Sequence, residues 1–266
     1  MEDAALPPEP ERPATPAPRI VYRHRLVTRI WHWINAVTVF VMIGSGLTIF
    51  NAHPHLYWGH FGANFDHAWF HGRWIFGTDR FPVPGWLTIP SSYNLALARR
   101  WHLTFALLLG FGLLVFMIAS LINRHFQRDL RVRAKEVAPK HLLDDAIAHA
   151  KFDFHNHDDP AAYNTLQKLS YVATIFVLIP LLILTGLAMS PAMDAAWPWL
   201  IEIFGGRQSA RSIHFIAAAL LVGFIIVHLT LVILAGPVGE VMSMITGRWR
   251  LPEVAPRPAP DPEPAE

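Results

Sequence analysis

Four histidines lie within long apolar stretches of the sequence, where an ionisable side chain is costly and usually functional. They are His32, His102, His214 and His228. His214 and His228 are 14 residues apart on one stretch. On a helix their directions would differ by about 40° and their heights by about 21 Å. One helix face would therefore present an imidazole near each side of a membrane.

The other two histidines match these two depths. His32 is near the start of the first stretch, and His102 is near the start of the second. Because successive spans run in opposite directions, His32 comes to the level of His228, and His102 comes to the level of His214. Each side of the membrane would then hold two histidines from different helices.

Paired imidazoles from different helices are typical axial ligands of a six-coordinate b-type haem, which transfers electrons because it has no open position. We therefore predict two haem b groups and a bundle interior that holds them. His32 and His228 would bind the inner haem iron, and His102 and His214 would bind the outer haem iron. Zinc is the competing metal, but two-ligand sites lack the further ligands that zinc requires. Purely structural histidines are the other alternative.

Several residues near these histidines could complete the haem sites. Gly46 lies 14 residues after His32 and would let a porphyrin lie against the helix at the outer depth, although glycine in membrane spans also serves helix packing. Arg29, Arg100 and Arg211 lie close to the histidines in sequence. They could pair with anionic haem propionates through charge-assisted hydrogen bonds. Interfacial anchoring is the alternative role for each arginine.

Four apolar stretches must position these residues. Hydrophobic residues make up 53% of the 266-residue chain and charged residues only 16%, against roughly 25% charged in soluble domains. Each stretch lacks Asp, Glu, Lys and Arg and is long enough to cross the hydrocarbon core as a helix. Pro180 should kink the third. The sequence predicts an all-α integral membrane four-helix bundle with spans at about residues 30–50, 101–122, 169–189 and 213–235.

The distribution of lysine and arginine predicts the orientation. The side that holds both termini carries 16 of these residues, and the opposite side carries 6. The positive-inside rule therefore places both termini in the cytoplasm. Residues 1–18 and 251–266 are Pro-rich, and we expect them to be disordered tails. Residues 19–250 would form the four-helix transmembrane domain that holds the two haems.

Two long loops and several missing motifs complete the sequence-based description. The outer loop, residues 51–98, is rich in His and Trp and would form a surface segment or a lid over the helix ends. The inner loop, residues 123–165, should be partly helical around HLLDDAIAHAKF. The lack of cysteine excludes disulfides, iron–sulfur clusters and covalent haem. No motif for hydrolysis or nucleotide binding is present, and we expect no nucleic-acid partner.

Short motifs give the sequence a family resemblance. TRIWHW at 28–33, ARRWH at 98–102, YNTLQKL at 163–169, and SIHF followed by IIVH at 212–228 carry it. The chain resembles the di-haem membrane cytochrome b subunits of bacterial respiratory oxidoreductases. These include the formate dehydrogenase gamma subunit, the nickel–iron hydrogenase b-type cytochrome and bacterial cytochrome b561-like proteins. The resemblance covers about residues 20–250 and implies a cytochrome b domain in a bacterial inner membrane.

The resemblance implies bis-histidine b haems and a quinone site near the inner haem. In the formate dehydrogenase branch, a motif that begins Tyr-Asn and has a Gln nearby lines that site, and Asn164 and Gln167 match it. Amide side chains suit a quinone carbonyl without adding charge. The alternative is that Asn164 simply caps the third span.

The resemblance also implies a partner. The long loops and the segments GWLTIP, SPAMDAAWPWL and GGRQSAR look like the branch that accompanies molybdopterin oxidoreductases. We therefore expect an electron-transfer subunit rather than a catalytic one, working between a periplasmic oxidoreductase and the quinone pool in either direction. One alternative is a stand-alone cytochrome b561-type quinone oxidoreductase. Another is a His-rich metal transporter, which the lack of Asp and Glu in the spans disfavours.

Overall fold

The computed structural model describes residues 20–63, 65–73, 83–124, 126–127, 130–133, 136–150 and 164–250. Within these ranges the protein is mainly helical, with two short two-stranded sheets and one 3-10 turn at Gly85–Leu87. The helices are α1 (Leu26–Ala52), α2 (Leu95–Ile122), α3 (Pro139–Ala150), α4 (Thr165–Ala173), α5 (Ile179–Ala188), α6 (Pro191–Ala196), α7 (Pro198–Ile203), α8 (Arg207–Ala235) and α9 (Pro237–Thr246). The strands are β1 (Ile20–Tyr22), β2 (His55–Leu56), β3 (Phe70–His71) and β4 (Arg248–Arg250).

The four predicted spans are confirmed as four helices that are long and apolar enough to cross a membrane. They are α1, α2, the continuous segment Thr165–Ala188, and α8. Each begins four to six residues earlier than predicted, because the prediction counted only residues free of charge. The added turns contain arginine or lysine, whose long side chains reach the interface while the backbone stays helical.

The third span contains the proline that was expected to kink it. A π-helical turn, Thr174–Leu178, lies between α4 and α5. The backbone N–H of Ile179 donates a hydrogen bond to the carbonyl of Thr174, five residues earlier. Pro180 follows directly and has no N–H to give to an ordinary helical bond. The π-helical turn therefore lies next to the position where Pro180 removes a regular backbone hydrogen bond of the helix.

The four spans pack together through specific pairs of helices. The α1 helix packs along α2, and α8 packs against α5 and the π turn. A buried apolar cluster that includes Leu113, Phe116 and Ile175 joins α2 to the third span, and the rings of Trp31 and Phe116 stack at 4.0 Å. In the described part of the chain, the backbones of α1 and α2 do not pack closely against the backbone of α8. The rings of Phe50 on α1 and Phe215 on α8 nonetheless stack, with centroids 5.1 Å apart, so side chains join these two helices.

The two ends of the described chain meet on one side of the bundle. Strand β1 pairs antiparallel with β4, with Tyr22 opposite Arg248. The Arg23 guanidinium lies 4.6 Å from the Trp249 ring and 3.8 Å from the Glu240 carboxylate. This small sheet closes the end of the bundle where α1 begins and α8 finishes.

The described part of the outer loop packs onto the start of α8 and forms a cover over it. Strands β2 and β3 pair with each other, and the loop backbone at Tyr57 accepts a hydrogen bond from Ser212 Oγ at 2.6 Å. Trp69 Nε1 donates to the same Ser212 oxygen at 2.9 Å. Of the two roles expected for this loop, these contacts favour a lid on the helix ends.

The helix predicted in the inner loop is confirmed as α3. Its Asp145 carboxylate accepts a hydrogen bond from the Leu166 backbone N–H at 2.9 Å, and His141 Nε2 lies 3.2 Å from Thr165 Oγ1. The helix therefore docks against the first turn of α4. The tails predicted to be disordered, 1–18 and 251–266, lie outside the described residues.

Candidate cofactor-binding site

The four membrane histidines meet in two pairs at different heights of the bundle. The rings of His32 on α1 and His228 on α8 have centroids 6.4 Å apart. The rings of His102 on α2 and His214 on α8 have centroids 6.3 Å apart. Because both pairs share α8, their heights differ by about 21 Å, the rise over 14 helical residues.

The spacing within each pair fits one shared metal ion. A metal–imidazole bond is about 2.0 Å long, and the ring centre lies about 1.1 Å beyond the nitrogen, so two imidazoles on opposite sides of one metal have centroids about 6.2 Å apart. The observed separations of 6.4 and 6.3 Å agree with this value.

The outer pair is held by hydroxyl groups from the other two spans. Ser45 Oγ on α1 lies 3.1 Å from His102 Nδ1. Thr185 Oγ1 on α5 lies 2.9 Å from His214 Nδ1. Both hydroxyl-bearing residues are fully buried. All four spans thus contribute a side chain at this height.

The inner pair has a more aromatic environment. Phe224 lies one turn before His228, and their rings stack with centroids 5.8 Å apart. The Trp33 ring meets the His32 ring edge-on at 5.2 Å. The Nδ1 atom of His32 is buried and has no hydrogen-bond partner among the described residues. The two pairs therefore differ in how their imidazoles are supported.

Two glycines make room for the outer imidazoles. A Cβ atom added at Gly46 would lie 3.4 Å from His102 Cε1, and one added at Gly186 would lie 3.6 Å from His214 Cε1. Gly46 is thus at the outer depth, as its spacing from His32 predicted, and the neighbour it accommodates is the imidazole ring. Larger side chains at these positions would push against the rings.

The three predicted arginines are placed differently. Arg29 Nη2 donates to the carbonyl of Ile245 at the end of α9. Arg211 Nη2 donates to the carbonyl of His53. Arg100 is exposed on the first turns of α2. Arg29 lies on the side of the inner pair, and Arg100 and Arg211 lie on the side of the outer pair; their role toward propionates stays a prediction.

Asn164 and Gln167 form a capping box at the start of α4. The Asn164 side chain accepts from the backbone of the third helical residue, and Gln167 Oε1 accepts from the Asn164 N–H at 3.2 Å. This is the capping role considered as the alternative for Asn164. Binding of quinone by these residues stays a prediction.

The outer loop places a histidine cluster above the outer pair. The rings of His55 and His71 lie 4.9 Å apart, and that of His53 lies 5.6 Å from His55. Burial lowers the pKa of His53, and the nearby Arg211 and His55 lower it further. The described residues contain no group of three His, Asp or Glu side chains arranged to hold a metal ion.

Sequence reasoning missed the hydroxyl groups beside the outer histidines. A repeated signal was present, because Ser45 precedes Gly46 and Thr185 precedes Gly186. Each hydroxyl–glycine step lies at the outer end of a span that carries no outer histidine. Only the positions of the neighbouring rings reveal its use.

Comparison with known proteins finds a family model and relatives that match most of the chain. A family model described as prokaryotic cytochrome b561 matches residues 23–247. A relative from Azospira oryzae, provisionally named protein-methionine-sulfoxide reductase subunit YedZ1, is 26% identical over 206 residues, 77% of this chain and 87% of that protein. A relative from Cupriavidus necator, provisionally named Ni/Fe-hydrogenase B-type cytochrome subunit, is 23% identical over 242 residues, 86% of each chain. No solved structure gives a significant match.

Proposed function

Because the chain belongs to the prokaryotic cytochrome b561 family, we propose that it is a di-haem membrane subunit that carries electrons between a redox partner and the quinone pool. Family membership implies b-type haem and a multi-pass membrane protein. What we propose beyond family membership is that the chain binds two haems, that it reacts with quinone and that it has a redox partner. The observation that carries it is the presence of two imidazole pairs, with ring centroids 6.3 and 6.4 Å apart, at different heights of one bundle.

The residues of each pair would hold one haem iron. His32 and His228 would bind the inner group, and His102 and His214 the outer group. Bound b haem supplies reversible one-electron transfer, and ligation by two imidazoles leaves no position for oxygen. The chain would contribute the ligands and span the distance between the two sides.

The partner and topology are proposed on separate grounds. The names of the relatives describe subunits of a sulfoxide reductase and of a hydrogenase. By analogy we propose a periplasmic molybdopterin-type oxidoreductase as the partner. The excess of lysine and arginine on the side of both termini supports an inner-membrane protein with cytoplasmic termini. Quinone would bind at the inner side, near Asn164 and Gln167.

The test of the proposed function is the haem content of the purified full-length protein. We expect two haem b per chain by pyridine haemochrome assay, both reducible by a quinol analogue. A reproducible count of one would remove the second site, and a colourless protein would reject the function. Co-purification of a soluble redox subunit would distinguish the proposed function from a stand-alone quinone oxidoreductase.

A further inference from the structure

The outer imidazoles are held by two structurally equivalent contacts. On α1 the ring of His102 lies against Ser45 and Gly46, and on α5 the ring of His214 lies against Thr185 and Gly186. In each case the hydroxyl is next to Nδ1 and the glycine is next to Cε1 of the same ring. The same ring edge of His102 and of His214 therefore faces the supporting helix, and Nε2 of each ring is left to point elsewhere.

The direction of these hydrogen bonds follows from the number of available hydrogens. Ser45 Oγ donates its hydrogen to the Val41 carbonyl at 2.6 Å, and Thr185 Oγ1 donates to the Leu181 carbonyl at 2.6 Å. A hydroxyl has one hydrogen and two acceptor positions. Toward the imidazole each oxygen is therefore an acceptor, and each Nδ1 must carry a proton.

This arrangement selects the tautomer that a metal needs. With the proton on Nδ1, the neutral ring presents the lone pair of Nε2 to a metal ion. A hydrogen bond from the opposite nitrogen of a ligating histidine fixes the ring orientation and makes the ligand more basic. A more basic ligand favours the more positively charged, oxidised metal.

We propose that Ser45 and Thr185 are positioning residues of the outer haem, fixing its two ligands and lowering its midpoint potential. This inference rests on the proposed function, because it requires an outer haem on His102 and His214. The inner pair offers a contrast within the same molecule, since the buried His32 Nδ1 has no partner among the described residues. The effect of the hydroxyls should therefore be confined to the outer haem.

The test is a redox titration of the purified haem-loaded protein and of the variants Ser45→Ala and Thr185→Ala, followed by haem absorbance. We expect the midpoint potential of one haem to rise in each variant and to rise further in the double variant, with the other haem unchanged. The conservative variants Ser45→Thr and Thr185→Ser keep the hydroxyl and should restore the wild-type value. Low-temperature EPR of the oxidised protein should show a changed signal for the same haem only.

Thr48→Ala is the matched control, because the Thr48 hydroxyl is buried on the same helix and bonds only the carbonyls of Gly44 and Ile89 among the described residues. It should leave both potentials unchanged. Unchanged potentials in Ser45→Ala and Thr185→Ala, or an equal rise in Thr48→Ala, would overturn the inference. Wild-type protein with fewer than two haems would instead overturn the proposed function on which it rests.

Discussion

At the level of single residues, the histidines were the part of the site that the sequence made visible. An ionisable side chain is costly in a membrane, which distinguishes these four residues. The 14-residue spacing of His214 and His228 on α8 defines two depths. Ser45 and Thr185 were not visible, because a buried hydroxyl in a helix usually bonds the carbonyl four residues back. Both do so, and only the positions of the rings show the second contact.

Gly46 should be sensitive to side-chain volume. A Cβ atom added at Gly46 would lie 3.4 Å from His102 Cε1. The two further methyl groups of Gly46→Val would therefore displace the ring. We expect this variant to lose the outer haem and keep the inner one, as measured by haem content and redox titration. The control is Gly110→Val, because a Cβ at Gly110 has nothing within 4 Å. Full occupancy of both haems in Gly46→Val would contradict this explanation of the glycine.

Asn164 has a structural role that any quinone experiment must separate from binding. Asn164→Ala removes an N-cap worth about 1 kcal/mol, whereas Asn164→Ser keeps a capping oxygen and loses the amide. We expect both variants to retain two haems and to slow haem reduction by quinol, because the amide would bind the quinone carbonyl. Wild-type rates in Asn164→Ser would show that the residue is only a cap.

At the level of secondary-structure elements, the spans were predictable because about 20 apolar residues are needed to cross the hydrocarbon core. Their first turns were not, because a helix continues through arginines such as Arg29 that end a charge-free run. The pairing of β1 with β4 joins residues more than 200 positions apart, and no local sequence pattern predicts such a pairing. The outer lid could be predicted only as one of two alternatives.

The docking of α3 on α4 is a testable contact between elements. Asp145 accepts from the Leu166 N–H, one of the first-turn amides that a helix cannot satisfy itself. Asp145→Ala should cost about 1 kcal/mol, the typical value of a lost cap, and should speed hydrogen exchange in the first turn of α4. Asp144→Ala removes the same charge from an exposed neighbouring position and should leave that exchange slow. Equal exchange in the two variants would show that the contact does not stabilise α4.

At the level of the whole molecule, the fold holds two similar sites in unequal surroundings. The chain ends close one side of the bundle through β1 and β4, and the outer loop covers the start of α8. The outer imidazoles contact hydroxyls, while the inner ones lie beside Trp33 and Phe224. Such a difference suits the proposed function, in which two haems would exchange electrons with different partners.

The most direct test of this account is the haem content of the four single variants His32→Ala, His228→Ala, His102→Ala and His214→Ala, measured with redox titration of the haem that remains. Two independent sites predict that the first two variants lose one and the same haem, and that the last two lose the other. Each variant should keep about half of the wild-type haem, since one bis-histidine site is intact. If any variant retained both haems, or if variants of one pair removed different haems, the proposed pairing would be wrong.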